Sequence, residues 1–274
     1  MSLQRLPKVA RGAFAFFRSR EPMALFALLT IVLGIWGFIE LADEVIEGST
    51  GHFDRWAVRA LRDQADPSIP IGPPWMASVG RDLTGLGGVA ILTLFIIASA
   101  GFLAISHAYR TMIVLVFSTS TGIIASMLLK QWFARPRPDV VPALDHVYTS
   151  SFPSGHSMMS TLVYLTLGTL IAPVLKHFWL RLYVLSLAIL LAVLIGLSRI
   201  YMGVHYPTDV LAGWAAGLVW ALACWLMSRP YIRHSHATQP VVIAVSEEGS
   251  ENDDGVRPHV AGESSASVAK TSSS

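Results

Sequence analysis

The sequence predicts an all-α protein, a bundle of six transmembrane helices with its chemically active loops on the outer (periplasmic or extracellular) face. Hydrophobic residues make up 53% of the 274 residues and charged residues only 14%, whereas about a quarter of a soluble domain is usually charged. The mean hydropathy is +0.54. Six long segments contain no Asp, Glu, Lys or Arg. Most of the chain is therefore expected to lie in lipid.

These uncharged segments are the predicted spans: 23–39, 86–106, 111–129, 157–175, 182–198 and 210–228. A spanning helix needs about 20 mostly apolar residues and at least about 17, so the first and fifth are marginal and are expected to borrow a turn from their flanks. The first follows a basic stretch, as in a signal peptide, but it ends in bulky Trp36 and Phe38. Signal-peptide cleavage requires small residues there, so this span is predicted to be a retained anchor.

The distribution of basic residues predicts the orientation. With six spans both termini lie on one side, and within residues 1–233 that side carries ten cations against eight on the other. The loop 40–85 on the other side is also rich in acidic residues. By the positive-inside rule, both termini are placed in the cytoplasm, and the membrane is expected to be a bacterial inner or plasma membrane.

Three regions follow from this topology. They are a basic cytoplasmic N-terminus at 1–22, a membrane domain at 23–228 that includes the outer loop 40–85, and a polar, disordered cytoplasmic tail at 229–274. The net charge of +2 and the lack of a basic stripe interleaved with aromatic residues argue against a nucleic-acid partner. Cys224 is the only cysteine, so no intrachain disulfide can form.

The outer loop contains a segment with helical periodicity. Apolar residues recur at helical spacing with arginines between them: Phe53, Trp56, Ala57, Ala60 and Leu61 alternate with Arg55, Arg59 and Arg62. This pattern predicts a helix that either lies in the membrane interface or packs on the bundle as part of a loop. Both alternatives remain open at the level of sequence.

A first polar cluster follows the third span, where Lys130, Arg135 and Arg137 are accompanied by Pro136 and Pro138. Basic residues at the end of a span commonly reach lipid headgroups, which alone would explain them. Proline, however, fixes its own φ and restricts the preceding residue to extended conformations. A guanidinium held in this way can bind phosphate through paired hydrogen bonds.

A second cluster, Ser151-Phe152-Pro153-Ser154-Gly155-His156-Ser157, opens the fourth span. Simple N-capping by Ser154 or Ser157 would account for it. A helix N-terminus also binds anions, because its N–H groups are unpaired and it is the positive end of the helix dipole. Gly155 would let the backbone approach a phosphate closely, with His156 beside it.

A third cluster joins the fifth and sixth spans and contains Arg199, His205, Pro207 and Asp209. Pro207 suits the first turn of the sixth helix. If that helix begins near His205, Asp209 lies one turn later on the same face, where it can fix the imidazole tautomer and leave the other ring nitrogen free to attack. The alternative is that Asp209 only balances the helix dipole.

All three clusters fall on the same side of the membrane under any six-helix topology. Hydrolysis of a phosphate monoester needs cations for the equatorial oxygens, a nucleophile, and an acid for the leaving oxygen. The clusters supply these parts as Lys130, Arg137 and Arg199, as His205 with Asp209, and as His156. Three unrelated structural motifs would have little reason to assemble this set on one face.

The arrangement resembles the type 2 phosphatidic acid phosphatase family, whose signature is Lys-x6-Arg-Pro, Pro-Ser-Gly-His and Ser-Arg-x5-His-x3-Asp. Every fixed position is present, in the same order and on spans three to six. The three matches are Lys130 to Arg137-Pro138, Pro153 to His156, and Ser198-Arg199 to His205 and Asp209. The resemblance covers roughly residues 80–228.

The resemblance implies a metal-independent membrane phosphatase without a cofactor. His205 would attack phosphorus to form a phosphohistidine, Asp209 would orient it, and His156 would protonate the leaving oxygen and then activate water. The phosphoryl oxygens would be held by Lys130, Arg137, Arg199, Ser154 and the backbone of Gly155. Independently, the outer clusters hold too few carboxylates for a two-metal site, and their cations occupy the role of metals.

Three other activities are weighed against this one. Vanadium haloperoxidases share the signature but are soluble, which the six uncharged spans oppose. A phosphotransferase remains an alternative, because a phosphohistidine can react with an acceptor other than water. A non-enzymatic transporter is disfavoured, since no Asp, Glu, Lys or Arg lies within the spans, where such residues would mark a pathway.

The substrate is expected to be a membrane lipid phosphate or diphosphate whose tail stays in the bilayer. Undecaprenyl diphosphate, phosphatidate, phosphatidylglycerol phosphate and phosphorylated lipid A all fit, and an outer site favours a bacterial carrier lipid. Loop 40–85 and the stretch Arg81–Gly88 are expected to shape the entrance. The sequence leaves the oligomeric state open.

Overall fold

The structure, a computed structural model, describes residues 21–144 and 149–236. Eight α-helices and one 3₁₀ turn make up this part of the chain, and it contains no strand. The helices are α1 Glu21–Glu47, α2 Gly51–Ala60, α3 Pro74–Leu86, α4 Val89–Ile105, α5 Tyr109–Phe133, α6 Gly155–Ile171, α7 Phe178–Tyr201 and α8 Pro207–His236, with the 3₁₀ turn at Ala172–Val174 after α6. The predicted N-terminal region 1–22 and polar tail fall almost wholly outside the described residues.

Five helices are long and apolar enough to cross a membrane: α1, α5, α6 with its 3₁₀ turn, α7 and α8. The predicted second span differs from a continuous helix. Two helices, α3 and α4, take its place, and α4 begins at Val89 rather than at residue 86. Together α3 and α4 are long and apolar enough to form one span, with a bend of 44° between them. Gly87 and Gly88 lie at the break, where their low helix propensity favours an interruption.

The helices differ in how much of their apolar surface other helices cover. In the most apolar stretch of 18 residues of each helix, only 6% is buried in α1, against 56% in α6 with its 3₁₀ turn. The side chains of α1 that remain exposed include Phe26, Val32 and Trp36, and a large exposed apolar surface of this kind indicates contact with lipid. Helix α6 therefore lies at the centre of the bundle, packed against α5, α7 and α8.

Helices α6 and α8 approach each other closely at two glycines one turn apart. A Cβ on Gly213 would lie 2.7 Å from the carbonyl oxygen of Ser154, and one on Gly217 would lie 2.5 Å from that of Met158. Small residues at this spacing allow membrane helices to pack backbone against backbone. This contact fixes the beginning of α6 against the beginning of α8, the two helix ends that carry the second and third polar clusters.

The loop 40–85 is largely helical. Helix α1 continues to Glu47, α2 follows at Gly51–Ala60, and α3 begins at Pro74. Val58 of α2 is fully buried in a cluster with Val141 and Tyr206, which supports the alternative that this helix packs on the bundle. Phe53 and Trp56, 49% and 60% exposed, project from the helix and stack against each other.

Candidate active site

The three polar clusters meet at one end of the bundle. The first lies after the end of α5, the second at the start of α6, and the third between α7 and α8. Backbone hydrogen bonds join them, from Ser151 N to Arg135 O at 2.8 Å and from Ser154 N to Asp209 O at 2.9 Å. The juxtaposition is therefore fixed by main chain as well as by side chains.

His205 is almost completely buried and is held through both ring nitrogens. Its Nδ1 lies 3.4 Å from Oδ2 of Asp209 and 3.4 Å from the hydroxyl of Ser151. Its Nε2 lies 3.2 Å from Nη1 of Arg137. With the proton on Nδ1 facing the carboxylate, Nε2 carries the lone pair and accepts from the guanidinium.

The environment of His205 favours its neutral form. The pKa of His205 is lowered from 6.5 to about 4, chiefly by burial; Asp209 opposes this shift, and Arg137 and Arg199 add to it. An imidazole with this pKa is unprotonated at neutral pH and retains the lone pair that a nucleophile needs. Arg199 of the third cluster is fully buried and acts electrostatically on His205. It therefore belongs to the same site as Arg137 and Asp209.

Asp209 serves both the histidine and the helix. Besides facing His205, its Oδ2 accepts from the Tyr206 amide at 2.9 Å and from the Ser151 hydroxyl. Helix α8 begins at Pro207, as the proline predicts, two residues after His205. The position of Asp209 is compatible with both alternatives: its Oδ2 faces the imidazole, and the carboxylate lies in the first turn of α8, where it balances the helix dipole.

Arg137 and Lys130 are fixed by carbonyl oxygens of the segments before α6 and α8. Arg137 donates through Nε to Thr149 O at 2.7 Å and through Nη1 to Val204 O at 2.7 Å. The Lys130 ammonium donates to Ser150 O at 2.8 Å. Both cations are thereby oriented before any anion binds.

The second cluster lies at the N-terminus of α6. Ser154 is the N-cap, and its fully buried hydroxyl accepts from the amide of Ser157 at 3.4 Å. Gly155 faces Lys130, whose Cε would lie 3.1 Å from a Cβ at that position. His156 follows as the second helical residue, and its Cδ2 would lie 3.5 Å from a Cβ on Gly87, so the turn between α3 and α4 packs against this histidine.

A cleft of about 650 Å³ opens beside these groups. It is lined by Met127, Lys130, Gln131, Ala134, Arg135, Pro136, Arg137, Thr149 and Ser150. Met127 lies on the exposed face of α5 together with Ile124 and Leu128. The cleft therefore has a cationic inner wall and an outer edge that continues into the apolar surface of a spanning helix.

No group of three or more His, Cys, Asp and Glu side chains suited to a metal ion occurs in residues 21–144 and 149–236. The acidic residues at the site are instead engaged by cations. Arg135 forms ion pairs with Asp209 at 2.6 Å and with Asp54 of α2 at 2.8 Å. Asp54 belongs to this site although it lies outside all three clusters. Ser151 and Thr208 belong to it as well, although the sequence assigned them no role.

The comparisons with known proteins agree with the geometry. The family model of the PAP2 superfamily matches residues 110–233, and the chain is 37% identical over 158 residues to phosphatidylglycerophosphatase B of Bacillus subtilis. That match covers 56% of this chain and 75% of the relative. The chain belongs to the PAP2 superfamily.

A second PAP2 relative is the decaprenylphosphoryl-5-phosphoribose phosphatase of Mycobacterium tuberculosis, 31% identical over 153 residues, which cover 55% of this chain and 79% of the relative. The crystal structure of the transmembrane PAP2-type phosphatidylglycerolphosphate phosphatase from Bacillus subtilis superposes with a TM-score of 0.64 at 26% identity. It covers 77% of this chain and 98% of that one. With these relatives and its apolar helices, the chain is an integral membrane protein of the PAP2 fold.

Proposed function

We propose that the protein hydrolyses the phosphate group of a membrane lipid by direct attack of His205 on phosphorus, without a metal ion. The observation that carries the proposal is the arrangement of the two ring nitrogens of His205. Nδ1 faces Asp209 and Nε2 faces Arg137, so the atom with the lone pair points at a group suited to bind a phosphoryl oxygen. Membership of the PAP2 superfamily, whose named relatives are lipid phosphatases, supports the same activity.

In the first step the lone pair of Nε2 forms a bond to phosphorus while the bond from phosphorus to the leaving oxygen breaks. Lys130, Arg137 and Arg199 stabilise the charge on the equatorial oxygens. Ser154 and the backbone at Gly155 are assigned to the same phosphate, at the positive end of α6. The leaving oxygen takes a proton from His156, and the imidazolium of phospho-His205 is stabilised by Asp209.

In the second step His156, now neutral, takes a proton from water as the water oxygen attacks phosphorus. The bond from phosphorus to Nε2 breaks, inorganic phosphate leaves, and His205 regains its lone pair. No redox partner is required, and the cations supply the charge that metal ions supply in two-metal phosphatases.

The cleft supports an amphiphilic substrate. Its inner wall carries Lys130 and Arg137, while Met127 at its edge belongs to the exposed apolar face of α5. A phosphorylated headgroup would occupy the cationic end, and the lipid tail would stay against α5 in the bilayer. Undecaprenyl diphosphate, phosphatidate and phosphatidylglycerol phosphate are the proposed substrate types.

For the orientation, we propose cytoplasmic termini and a site on the outer face, from the distribution of basic residues. A cysteine introduced in the outer loop as Asp66→Cys, in a Cys224→Ala background, tests this side. Labelling of intact cells by a membrane-impermeant maleimide is expected. Labelling only after the membrane is permeabilised would place the loop in the cytoplasm.

The activity is tested by phosphate release from a panel of these lipid phosphates by purified protein in detergent with a chelator present. Release is expected to persist in chelator, to disappear in His205→Ala, and to remain in His107→Ala, a matched change in the α4–α5 turn. Undiminished release by His205→Ala would disprove the role of His205. A well-folded wild type that releases nothing from any lipid would replace hydrolysis with transfer to an acceptor.

A further inference from the structure

Helix α2 of the outer loop contributes a buried carboxylate to the active site. Asp54 is completely buried, although it belongs to a helix that lies 81 positions before Arg135 in the chain. Its Oδ2 accepts from Nη2 of Arg135 at 2.8 Å and from the Thr208 hydroxyl at 2.6 Å. Asp54 therefore bridges the end of α5 to the first turn of α8.

The guanidinium of Arg135 is shared between two buried carboxylates. Nη2 donates to Asp54, while Nη1 donates to Oδ1 of Asp209 at 2.6 Å and to Thr208 Oγ1 at 2.9 Å. The Arg135 side chain is only 13% exposed, and it lies over the Tyr206 ring at 4.7 Å. An arginine can bridge two acceptors in this way because its donors form a rigid planar fork, which lysine lacks.

Arg135 and Arg137 have different partners although they are two residues apart. Pro136 stands between them and holds the backbone extended. Arg135 is engaged by Asp54 and Asp209, whereas Arg137 contacts His205 and carbonyl oxygens. Arg137 thus contacts the proposed nucleophile directly, and Arg135 acts on the carboxylate behind it.

The two oxygens of Asp209 consequently have separate tasks. Oδ1 is held by Arg135, and Oδ2 faces Nδ1 of His205. Oδ2 also accepts from the Tyr206 amide and the Ser151 hydroxyl, so the carboxylate is held at both oxygens, and Oδ2 sets the tautomer and the orientation of the imidazole. In metal sites, loss of a group that supports a ligating histidine typically lowers metal affinity or activity by about 10- to 100-fold. The same physical reasoning applies to a histidine that acts as a nucleophile.

We infer that Asp54 and Arg135 are positioning residues for the proposed reaction: Asp54 fixes the Arg135 guanidinium, which fixes Asp209 and, through it, the attacking His205. The inference rests on the proposed function. Neither residue contacts the reacting atoms in this role. The outer loop then does more than shape the entrance, because α2 completes the support of the nucleophile.

The chain of charges predicts opposite pH effects for two variants. His205 faces Asp209 of α8, Arg137 after α5 and Arg199 of α7, with Arg135 and Asp54 behind Asp209. Arg135→Gln removes a cation from Asp209, which strengthens the hold of the carboxylate on a protonated imidazole and raises the pKa of His205. Asp54→Asn leaves Arg135 to Asp209 alone, which weakens that hold and lowers the pKa of His205.

The experiment measures kcat, KM and the pH profile of kcat/KM for full-length variants in detergent, with thermal unfolding recorded for each. Asp54→Asn is expected to lower kcat about tenfold with little change in KM. Asp66→Asn, at an exposed position of the same loop, is expected to leave both kcat and KM unchanged. The acid limb of kcat/KM, which reports the free enzyme, is expected to move to higher pH in Arg135→Gln and to lower pH in Asp54→Asn. Asp54→Asn and Arg135→Gln combined are expected to be non-additive.

Thr208 provides a second pair of variants if Asp54→Asn does not fold. Thr208→Val replaces the hydroxyl that bonds Asp54 and Arg135 by a methyl group and is expected to lower kcat several-fold. Thr208→Ser keeps the hydroxyl and is expected to retain the wild-type kcat. A kcat within twofold of wild type in Asp54→Asn and Thr208→Val would overturn the inference, as would limbs that shift in the same direction. Full activity of His205→Ala would instead overturn the proposed function, so the two failures are distinguishable.

Discussion

The backbone amide of Ser154 donates a hydrogen bond of 2.9 Å to the carbonyl oxygen of Asp209. This bond joins the N-cap of α6 to the first turn of α8, and the residues on either side of it include His156 and His205. One turn further along α8, Gly213 packs against the start of α6, next to the carbonyl oxygen of Ser154. Helix packing and site geometry are therefore inseparable at this position.

Gly213→Ala is expected to destabilise the protein and to reduce activity together. The added Cβ would lie 2.7 Å from Ser154 O and 2.9 Å from Cβ of Ser157, so backbone must shift. Overpacking of this kind costs about 1–3 kcal/mol, measurable as a lower midpoint of thermal unfolding in detergent. Gly101→Ala in α4 has nothing within 4 Å and serves as the matched control, with a midpoint equal to or above that of wild type. Equal midpoints for the two variants would contradict the close packing of α6 and α8.

Gly155→Ala is expected to lower activity with little change in stability. Its Cβ would lie 3.1 Å from Cε of Lys130 and 3.8 Å from Nζ, and a flexible side chain can give way at small cost. The ammonium is nevertheless bonded to Ser150 O, so moving it changes how phosphate is held. We expect a loss of about tenfold in kcat/KM, since each oriented charge contributes a few kcal/mol to catalysis at most. Unaltered kinetics in a variant with wild-type stability would show that Lys130 does not hold the phosphate in this position.

Arg137→Lys is expected to lower kcat/KM roughly 100-fold, in the range that loss of one stabilising donor produces. The guanidinium contacts Thr149 O, Val204 O and Nε2 of His205 at once, and an ammonium cannot reproduce that planar geometry. Arg181→Lys, at an exposed arginine in the first turn of α7, is the comparison and should retain wild-type kinetics. Activity of Arg137→Lys close to wild type would mean that charge alone, and not the planar fork, is required.

Stability is expected to fall as the pH decreases from about 6.5 to about 4, in part because of His205. Its pKa is about 4 in the folded protein against 6.5 ordinarily, so the unfolded chain binds a proton in this window that the folded chain does not. The contribution of His205 to the free energy of unfolding is present above the pKa of the unfolded chain and is lost as the pH falls through the pKa of the folded protein. It amounts to roughly 3 kcal/mol, since one unit of pKa is worth about 1.4 kcal/mol.

This pH effect is measured by chemical or thermal unfolding of wild type and His205→Gln between neutral pH and pH 4.5. The variant lacks the titrating group, so its stability is expected to depend less steeply on pH. Parallel curves for the two proteins would refute the lowered pKa of His205. His107→Gln, in the turn between α4 and α5, controls for the loss of a histidine outside the site.

Much of the fold was predictable, because lipid solvation imposes a long uncharged segment on each span. Pro207 also marked the start of α8, and the fixed spacing of the signature identified the loops that meet. The break between α3 and α4 was missed because the absence of charge says nothing about continuity, although Gly87 and Gly88 were visible there.

The burial of Asp54 was not predictable, for a physical reason. In α2 the large apolar residues Phe53 and Trp56 are exposed while Asp54 is buried, the reverse of what apolar periodicity indicates. A carboxylate can be buried only where a partner compensates its charge. That partner, Arg135, lies far away in sequence, and no local periodicity encodes such a pairing.

The shared guanidinium has a consequence for biogenesis. A ribosome that inserts this chain into the membrane delivers Asp54 and Arg135 well before Asp209, which lies 74 positions after the arginine. Until α8 leaves the translocon, the nascent chain holds a guanidinium with one of its two carboxylates. The proposed nucleophile, His205, therefore gains its orienting carboxylate only when α8 is inserted, and a polypeptide interrupted before that point contains most of the described helices but not this carboxylate.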